Sequence, residues 1–239
     1  MALRIDILTL FPEIFFGPFD ASIIARARKK GIVDINTVNV RDFAHDKHKT
    51  VDDTPYGGGP GMLMKPEPLF EAVRSLKTER SKVILTGPRG QRFSQPLARK
   101  IASEETHLIF ICGHYEGVDE RVRKALADWE FSIGDYILTS GNLPAMVICD
   151  AVTRLLPGAL GCGESGEDES FSTEEGVLEY PQYTRPARFR SWDVPEILIS
   201  GDHGKIEKWK REQAVKETLR TRPDIMEKIE KQYKNGGIK

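Results

Sequence analysis

The sequence lacks most of the features that place a chain in a membrane, outside the cell or around a metal. No apolar run approaches the roughly 18–20 residues needed to cross a bilayer. The opening Met-Ala-Leu-Arg-Ile-Asp has none of the layout of a secretion signal and reads straight into a strand. Cysteine is scarce: Cys112, Cys149 and Cys162 are odd in number and no two form a CxxC pair. Two of them lie in apolar runs, where a reduced thiol behaves as a small hydrophobe. The expected compartment is therefore the cytoplasm, with no membrane partner. Net charge is nearly absent, since 35 Lys+Arg stand against 36 Asp+Glu. The glycine-rich segment at residues 57–61 is not followed by Gly-Lys-Ser/Thr, so it is not a P-loop. Counted from Gly57 as GxGxxG it fails at Met62, which weighs against a nucleotide-dependent oxidoreductase. No Ser/His/Asp or Cys/His set stands out along the chain, and there is no internal repeat. His45, His48, Asp52 and Asp53 lie close in sequence, but Lys47 and Lys49 among them would repel a cation. No metal ligand is assigned, and no residue pattern specifies a divalent ion such as Mg2+.

What is present is a folded chain of 239 residues, enough for one large or two small domains. Apolar runs such as residues 5–11 and 108–112 exclude a wholly disordered polypeptide. Residues 4–10 read as a strand. Residues 20–30 read as a helix with Asp20 as N-cap and Gly31 as stop. Residues 33–40 read as a second strand, and residues 41–64 as a long loop of the kind that is usually functional or mobile. Three β-then-α units follow: strand 82–85 with helix 95–102, strand 108–112 with helix 118–127, and strand 136–138 with helix 143–156. This alternation predicts an α/β fold, a mostly parallel sheet with helices on both faces. Ligands of such sheets bind in the loops leaving the carboxyl ends of strands.

Pro157-Gly158 stops the last of these helices, and residues 161–175 read as a flexible acidic linker. Helices at 204–219 and 223–234 then predict a small helical domain. The expected division is 1–160, a linker at 161–175, and 176–239. Charge follows it. Residues 161–179 hold seven acidic and no basic residues, whereas residues 203–239 hold eleven basic and six acidic. A basic helical tail fits an anionic partner as well as a solvated face.

Three loops carry the chemistry. Gly87-Pro88-Arg89-Gly90 leaves one predicted strand and Gly113-His114-Tyr115-Glu116-Gly117 another, while Ser132-Ile133-Gly134-Asp135-Tyr136 leads into Ile137-Leu138-Thr139-Ser140-Gly141-Asn142. Small residues at successive strand exits make room for a ligand and expose backbone N–H and C=O groups to it, which suits a planar heterocycle. Arg154, four residues after Asp150, sits where a predicted helix ends and can project toward the linker, which contains Asp168 and Glu169.

Several runs together carry a family resemblance: Lys47-His48-Lys49-Thr50-Val51-Asp52-Asp53, Tyr56-Gly57-Gly58-Gly59-Pro60-Gly61-Met62, Cys112 through Arg121, Ser132 through Tyr136, Asp150-Ala151-Val152-Thr153-Arg154, and Tyr180-Pro181-Gln182-Tyr183-Thr184-Arg185-Pro186. The chain resembles the bacterial tRNA (guanine-N1)-methyltransferases, which modify guanine 37 beside the anticodon. The resemblance implies a SPOUT-class α/β fold with a trefoil-type knot in the main domain, S-adenosylmethionine as methyl donor, a homodimer with its active sites at the subunit interface, and a C-terminal domain that holds the tRNA anticodon stem-loop. It places Thr86, Gly87, Pro88, Gly113, Tyr115, Glu116, Ile133, Gly134, Asp135, Tyr136, Ile137, Leu138, Gly141, Pro144 and Glu179 around the donor. It makes Glu169 the general base and Arg154 the group that meets the target guanine. Glu169 stands where family members often carry aspartate, with Asp168 beside it as a substitute, and Ser140 and Asn142 replace an expected glycine and glutamate. Two other readings of the residues are a related knotted methyltransferase with another RNA target and a non-catalytic RNA-binding protein. The second accounts for the basic tail but not for three small-residue loops at one sheet edge.

Overall fold

The computed structural model describes residues 2–160, 169–172 and 176–234. The chain forms two compact units, Met1–Gly163 and Glu164–Lys239. Cys162, Asp168 and most of the linker read at 161–175 lie outside the described residues.

The first unit runs β1 (Leu3–Thr9), α1 (Ser22–Lys29), β2 (Val33–Asn39), β3 (Asp52–Asp53), β4 (Leu63–Met64), α2 (Pro66–Leu76), β5 (Ser81–Arg92), α3 (Gln95–Glu104), β6 (His107–Cys112), α4 (Glu120–Leu126), β7 (Trp129–Ser132) and α5 (Asn142–Thr153). Five strands form one sheet in the order β2-β1-β6-β5-β7, and every neighbouring pair is parallel. Parallel strands are covered on both faces, so the central ones read as unbroken apolar runs; all six residues of β6 are buried. Side chains alternate between two cores. Leu108, Phe110 and Cys112 pack with Ile5, Ile7 and residues of α1, α3 and α5. Ile109 and Ile111 pack with Leu8, Val83, Leu85 and residues of α2 and α4.

Three local expectations are corrected. Asp20 does not cap α1; it ends a 3-10 turn at Pro18–Asp20, and its carboxylate pairs with Arg28 at 2.6 Å. Residues 136–138 are not a strand. The last strand of the parallel sheet is Trp129–Ser132, and the Ser132 hydroxyl then bonds the Gly134 amide at 3.2 Å and its carbonyl at 3.1 Å, turning the chain out of the sheet. Ile137 is left 81% exposed, so the apolar character of this stretch reflects a surface rather than a ladder. The predicted loop at 41–64 contains the short β3–β4 pair, and α2 follows it with Pro66 in its first turn.

Folding also assembles a Ser/His/Asp row that the linear sequence hides. His107 lies opposite Ser81 in the β5–β6 register, its Nδ1 2.7 Å from the Ser81 hydroxyl and its Nε2 2.7 Å from Asp6. All three are buried, and the Ser81 hydroxyl already accepts the Thr78 N–H at 2.7 Å. Arg4 completes the row with an ion pair to Asp6 at 2.8 Å. At the amino ends of β5 and β6, away from the strand exits, this row is a cross-strand clamp rather than a nucleophile.

The second unit contains a hairpin, β8 (Arg188–Phe189) with β9 (Trp192–Asp193), and the helices α6 (Glu196–Ile199), α7 (His203–Thr221) and α8 (Pro223–Lys234). Asp202 caps α7 by accepting the Lys205 N–H at 3.1 Å. The Thr218 hydroxyl accepts the Leu178 N–H at 2.9 Å, tying the segment before the hairpin to α7. No helix among the described residues is long and apolar enough to cross a membrane.

Removing one member of a buried hydrogen-bonded pair strands the other. Asp6→Ala should therefore cost about 3 kcal/mol of stability, read as a lower urea midpoint at unchanged slope. A midpoint equal to wild type would show that the row is not a clamp. Burial pushes the Cys112 and Cys149 thiols far above their ordinary range, so both should resist alkylation in native protein and react once it is unfolded.

Candidate active site

The site is assembled from three strand exits. β5 does not end at Thr86: its pairing with β7 jumps from Thr86↔Phe131 to Gln91↔Phe131, so residues 87–90 loop out of the ladder. That loop, residues 113–117 after β6 and residues 133–141 after β7 enclose a cavity of about 570 Å³, a size suited to a small-molecule site. From the first exit Thr86, Gly87 and Pro88 line it, and from the second Gly113, Tyr115 and Glu116. Ile133, Gly134, Tyr136, Ile137, Leu138, Gly141 and Pro144 contribute to the same wall. Asp135 belongs to the same loop but is not part of that wall.

Close backbone approach holds the exits together. The Gly141 amide donates to the Gly113 carbonyl at 2.8 Å, and the Thr86 hydroxyl donates to the Gly141 carbonyl at 3.1 Å. A Cβ on Gly141 would overlap the Thr86 hydroxyl and sit 2.9 Å from the Gly113 nitrogen. Gly141 is thus small because the strand exits need the space, not because a ligand does. Gly87 is less constrained, since its Cβ would meet only the tip of the Glu130 side chain, at 2.9 Å. Gly113 differs: nothing lies closer than 3.8 Å, and Gly117 faces open space.

Glu130 is a cavity residue that sequence reasoning missed. It lies inside β7, whose boundaries were misplaced, and only the β5–β7 pairing brings its carboxylate to Gly87. It also pairs with Arg123 at 3.7 Å. Arg123 belongs to a charged rim with Glu120 and Arg89, the latter 3.2 Å from Glu120. Hydrogen bonds from Arg123, reinforced by Arg89, hold the Glu120 carboxyl down at about 2.

The glycine-rich loop reaches the same place. The Glu116 amide donates to the Met62 carbonyl at 3.0 Å, and Met64 donates to the Gly117 carbonyl at 2.9 Å. The Glu116 side chain lies where a Cβ on Gly61 would project, and Gly61 has φ +86°. Both conformation and space demand glycine there. Tyr115 adopts φ +57° without being glycine, and the His114 ring sits between Phe11 at 5.1 Å and Tyr115 at 4.7 Å. His45 pairs with Glu71 at 2.7 Å.

The two departures from the family pattern find local partners. The Ser140 hydroxyl accepts the Asn142 N–H at 3.3 Å. Asn142 is buried and accepts the Thr9 hydroxyl at 2.9 Å.

Arg154 is the C-cap of α5, half-buried, with its amide bonded to the Asp150 carbonyl at 3.1 Å. Glu169 and Glu179 belong to the second unit, where both line a cavity of about 550 Å³ beside α7 and α8. The Glu179 amide donates to the Ser170 hydroxyl at 3.0 Å, and its carboxylate accepts Gln182 at 3.2 Å.

A family model described as tRNA (Guanine-1)-methyltransferase TrmD matches residues 3–228. The chain belongs to this family. It is 58% identical over 226 residues to a tRNA (guanine-N(1)-)-methyltransferase of Dictyoglomus turgidum, covering 95% of this chain and 91% of the relative. Proteins of the same name from Moorella thermoacetica and Brevibacillus brevis are 56% and 55% identical over 231 and 228 residues. These alignments cover 95% of this chain in both cases and 91% and 93% of the relatives. The shared stretch takes in both units and all three strand exits.

Overpacking at Gly141 has a direct consequence. Gly141→Ala should cost about 1–3 kcal/mol in chemical denaturation and weaken ligand binding in the cavity. Wild-type stability in this variant would mean that the three exits tolerate separation.

Proposed function

We propose that this protein transfers the methyl group of S-adenosylmethionine to N1 of guanine 37 of tRNA, acting as a homodimer with each site at the subunit interface. The observation that carries this reading is the cavity built by three strand exits, in a chain matched by the tRNA (Guanine-1)-methyltransferase family over residues 3–228. In this reading the loops at 87–90, 113–117 and 133–141 form a trefoil-type knot. The Gly113–Gly141 hydrogen bond and the bridge between His114 and Ser140 support it. Residues 1–160 carry the donor site, residues 176–239 the tRNA contacts, and residues 161–175 connect them.

The residues present fit the donor. Open space over Gly117 and contacts no closer than 3.8 Å at Gly113 leave backbone groups able to read the edge of a flat adenine, and Glu116 supplies a carboxylate for hydroxyl or ammonium groups. Glu179 is the acid assigned to the donor's amino group. Bound there, S-adenosylmethionine supplies a methyl on a cationic sulfur, electrophilic without further activation.

The remaining chemistry belongs to the protein. Guanine N1 carries a proton that must leave as the nitrogen attacks, and the Glu169 carboxylate takes it. Negative charge then moves toward O6, where the Arg154 guanidinium stabilises it. Glu169 reaches one methylene further than the aspartate common in the family, and Asp168 is the alternative base. Guanine 37 lies in a single-stranded loop, so presenting it costs less than flipping a paired base. Lysines and arginines of α7 and α8 supply phosphate contacts, so affinity falls with salt. The homodimer reading is supported by exposed apolar side chains at Ile14 and Phe16, in and just after a 3-10 turn at Pro12–Phe15, and at Leu143 and Val147 on the adjoining α5.

Incubation with tRNA and donor, followed by mass-spectrometric mapping, should find the methyl on guanine 37. A methyl on another nucleotide overturns the substrate assignment. Glu169→Gln and Arg154→Ala should each lower single-turnover transfer about 100-fold with little change in donor affinity. A wild-type rate in Glu169→Gln together with a dead Asp168→Asn moves the base to Asp168.

A further inference from the structure

The second unit exposes an aromatic and basic hairpin that the catalytic reading leaves unused. Phe189 and Trp192 are directly paired across β8 and β9, joined by a tight turn at Arg190-Ser191. Cross-strand partners project from the same face of a two-stranded ribbon. Both rings are open to solvent, Phe189 at 59% and Trp192 at 75% exposure. The Arg190 guanidinium lies 5.2 Å from the centre of the Phe189 ring. Arg188 bonds the Arg190 carbonyl at 3.4 Å and stands 3.7 Å from Asp193. Residues 185–193 carry three arginines against a single aspartate.

An exposed Phe–Trp pair forgoes burial, which favours a partner that covers it. The surrounding charge selects the kind of partner. Arginines interleaved with aromatic faces suit a ligand that is flat, unpaired and anionic at once, as single-stranded nucleic acid is. An apolar protein surface would leave the guanidiniums unanswered. We propose that this hairpin is an RNA-stacking platform: an unpaired base of the bound tRNA lies on the Trp192–Phe189 face while Arg188 and Arg190 meet neighbouring phosphates. The inference rests on the tRNA reading above and adds to it a contact away from the methyl-transfer residues.

The test uses the full-length protein and an unmodified tRNA transcript at fixed salt. Trp192→Ala should weaken tRNA binding about 10-fold, whereas Trp192→Phe, which keeps a stacking face, should recover most of the affinity. Methyl transfer at saturating tRNA, calorimetric binding of S-adenosylmethionine and sedimentation mass should stay at wild-type values, so the change appears in KM rather than kcat. Arg190→Ala should reduce the slope of log affinity against log salt by about one. Trp192→Ala with tRNA affinity within twofold of wild type overturns the proposal. So does a changed sedimentation mass, which would assign the face to a second copy of the chain. Wild-type protein that binds no tRNA overturns the tRNA reading along with it, whereas a tight-binding wild type with an indifferent Trp192→Ala overturns the hairpin alone.

Discussion

The absence of a side chain at Gly141 lets the loop after β7 lie against the ends of β5 and β6. Thr86, Cys112 and Gly113 occupy the space that any larger residue would need, and two hydrogen bonds fix the contact. Once that loop is pinned, the cavity wall follows, because residues 133–140 are carried over the other two exits. The walls of the cavity are thus a consequence of backbone packing, and the side chains that face a ligand are mounted on it. Close-packed interiors transmit small displacements instead of absorbing them, so the site inherits the stiffness of the sheet.

The two ends of the sheet divide the labour. At the amino ends, Ser81, His107 and Asp6 tie three adjacent strands together through buried hydrogen bonds. At the carboxyl ends the same strands give way to loops with positive φ angles, exposed aromatics and a charged rim. Side chains with the makings of a catalytic set thus sit at the end away from the strand-exit cavity, their hydrogen bonds made to each other and to their neighbours. Most of the polar residues that line the cavity lie at the carboxyl ends of the strands and in the loops that leave them. Residue type is therefore a weaker guide to function here than position along the strand.

Much of the architecture was legible in sequence because it is local. Apolar content marked β1 and β6 as strands, the alternation of strand and helix made them parallel, and the periodicity of the C-terminal segment placed α7 and α8 within two residues of their ends. The failures have a common cause. Residues 136–138 carry the composition of a strand, but Ser132 and Gly134 had already turned the chain away from the ladder. Glu130 escaped notice because β7 is short and only half apolar, and its carboxylate meets Gly87 and Arg123 only once β5, β7 and α4 are assembled. The glycines singled out at the strand exits line the cavity, although for Gly141 the space it leaves is filled by the protein itself.

Composition and periodicity were sufficient for the α/β class, the alternation of strand and helix and the basic helical tail, since each depends on neighbours along the chain; the family was legible through the resemblance of long runs to its members. The strand order, the meeting of three distant loops in one cavity, the hidden Ser81–His107–Asp6 row and the aromatic face of the hairpin were settled by folding. Each joins residues through contacts made in space, across a sheet or a ribbon. Spacing along the chain records none of those distances.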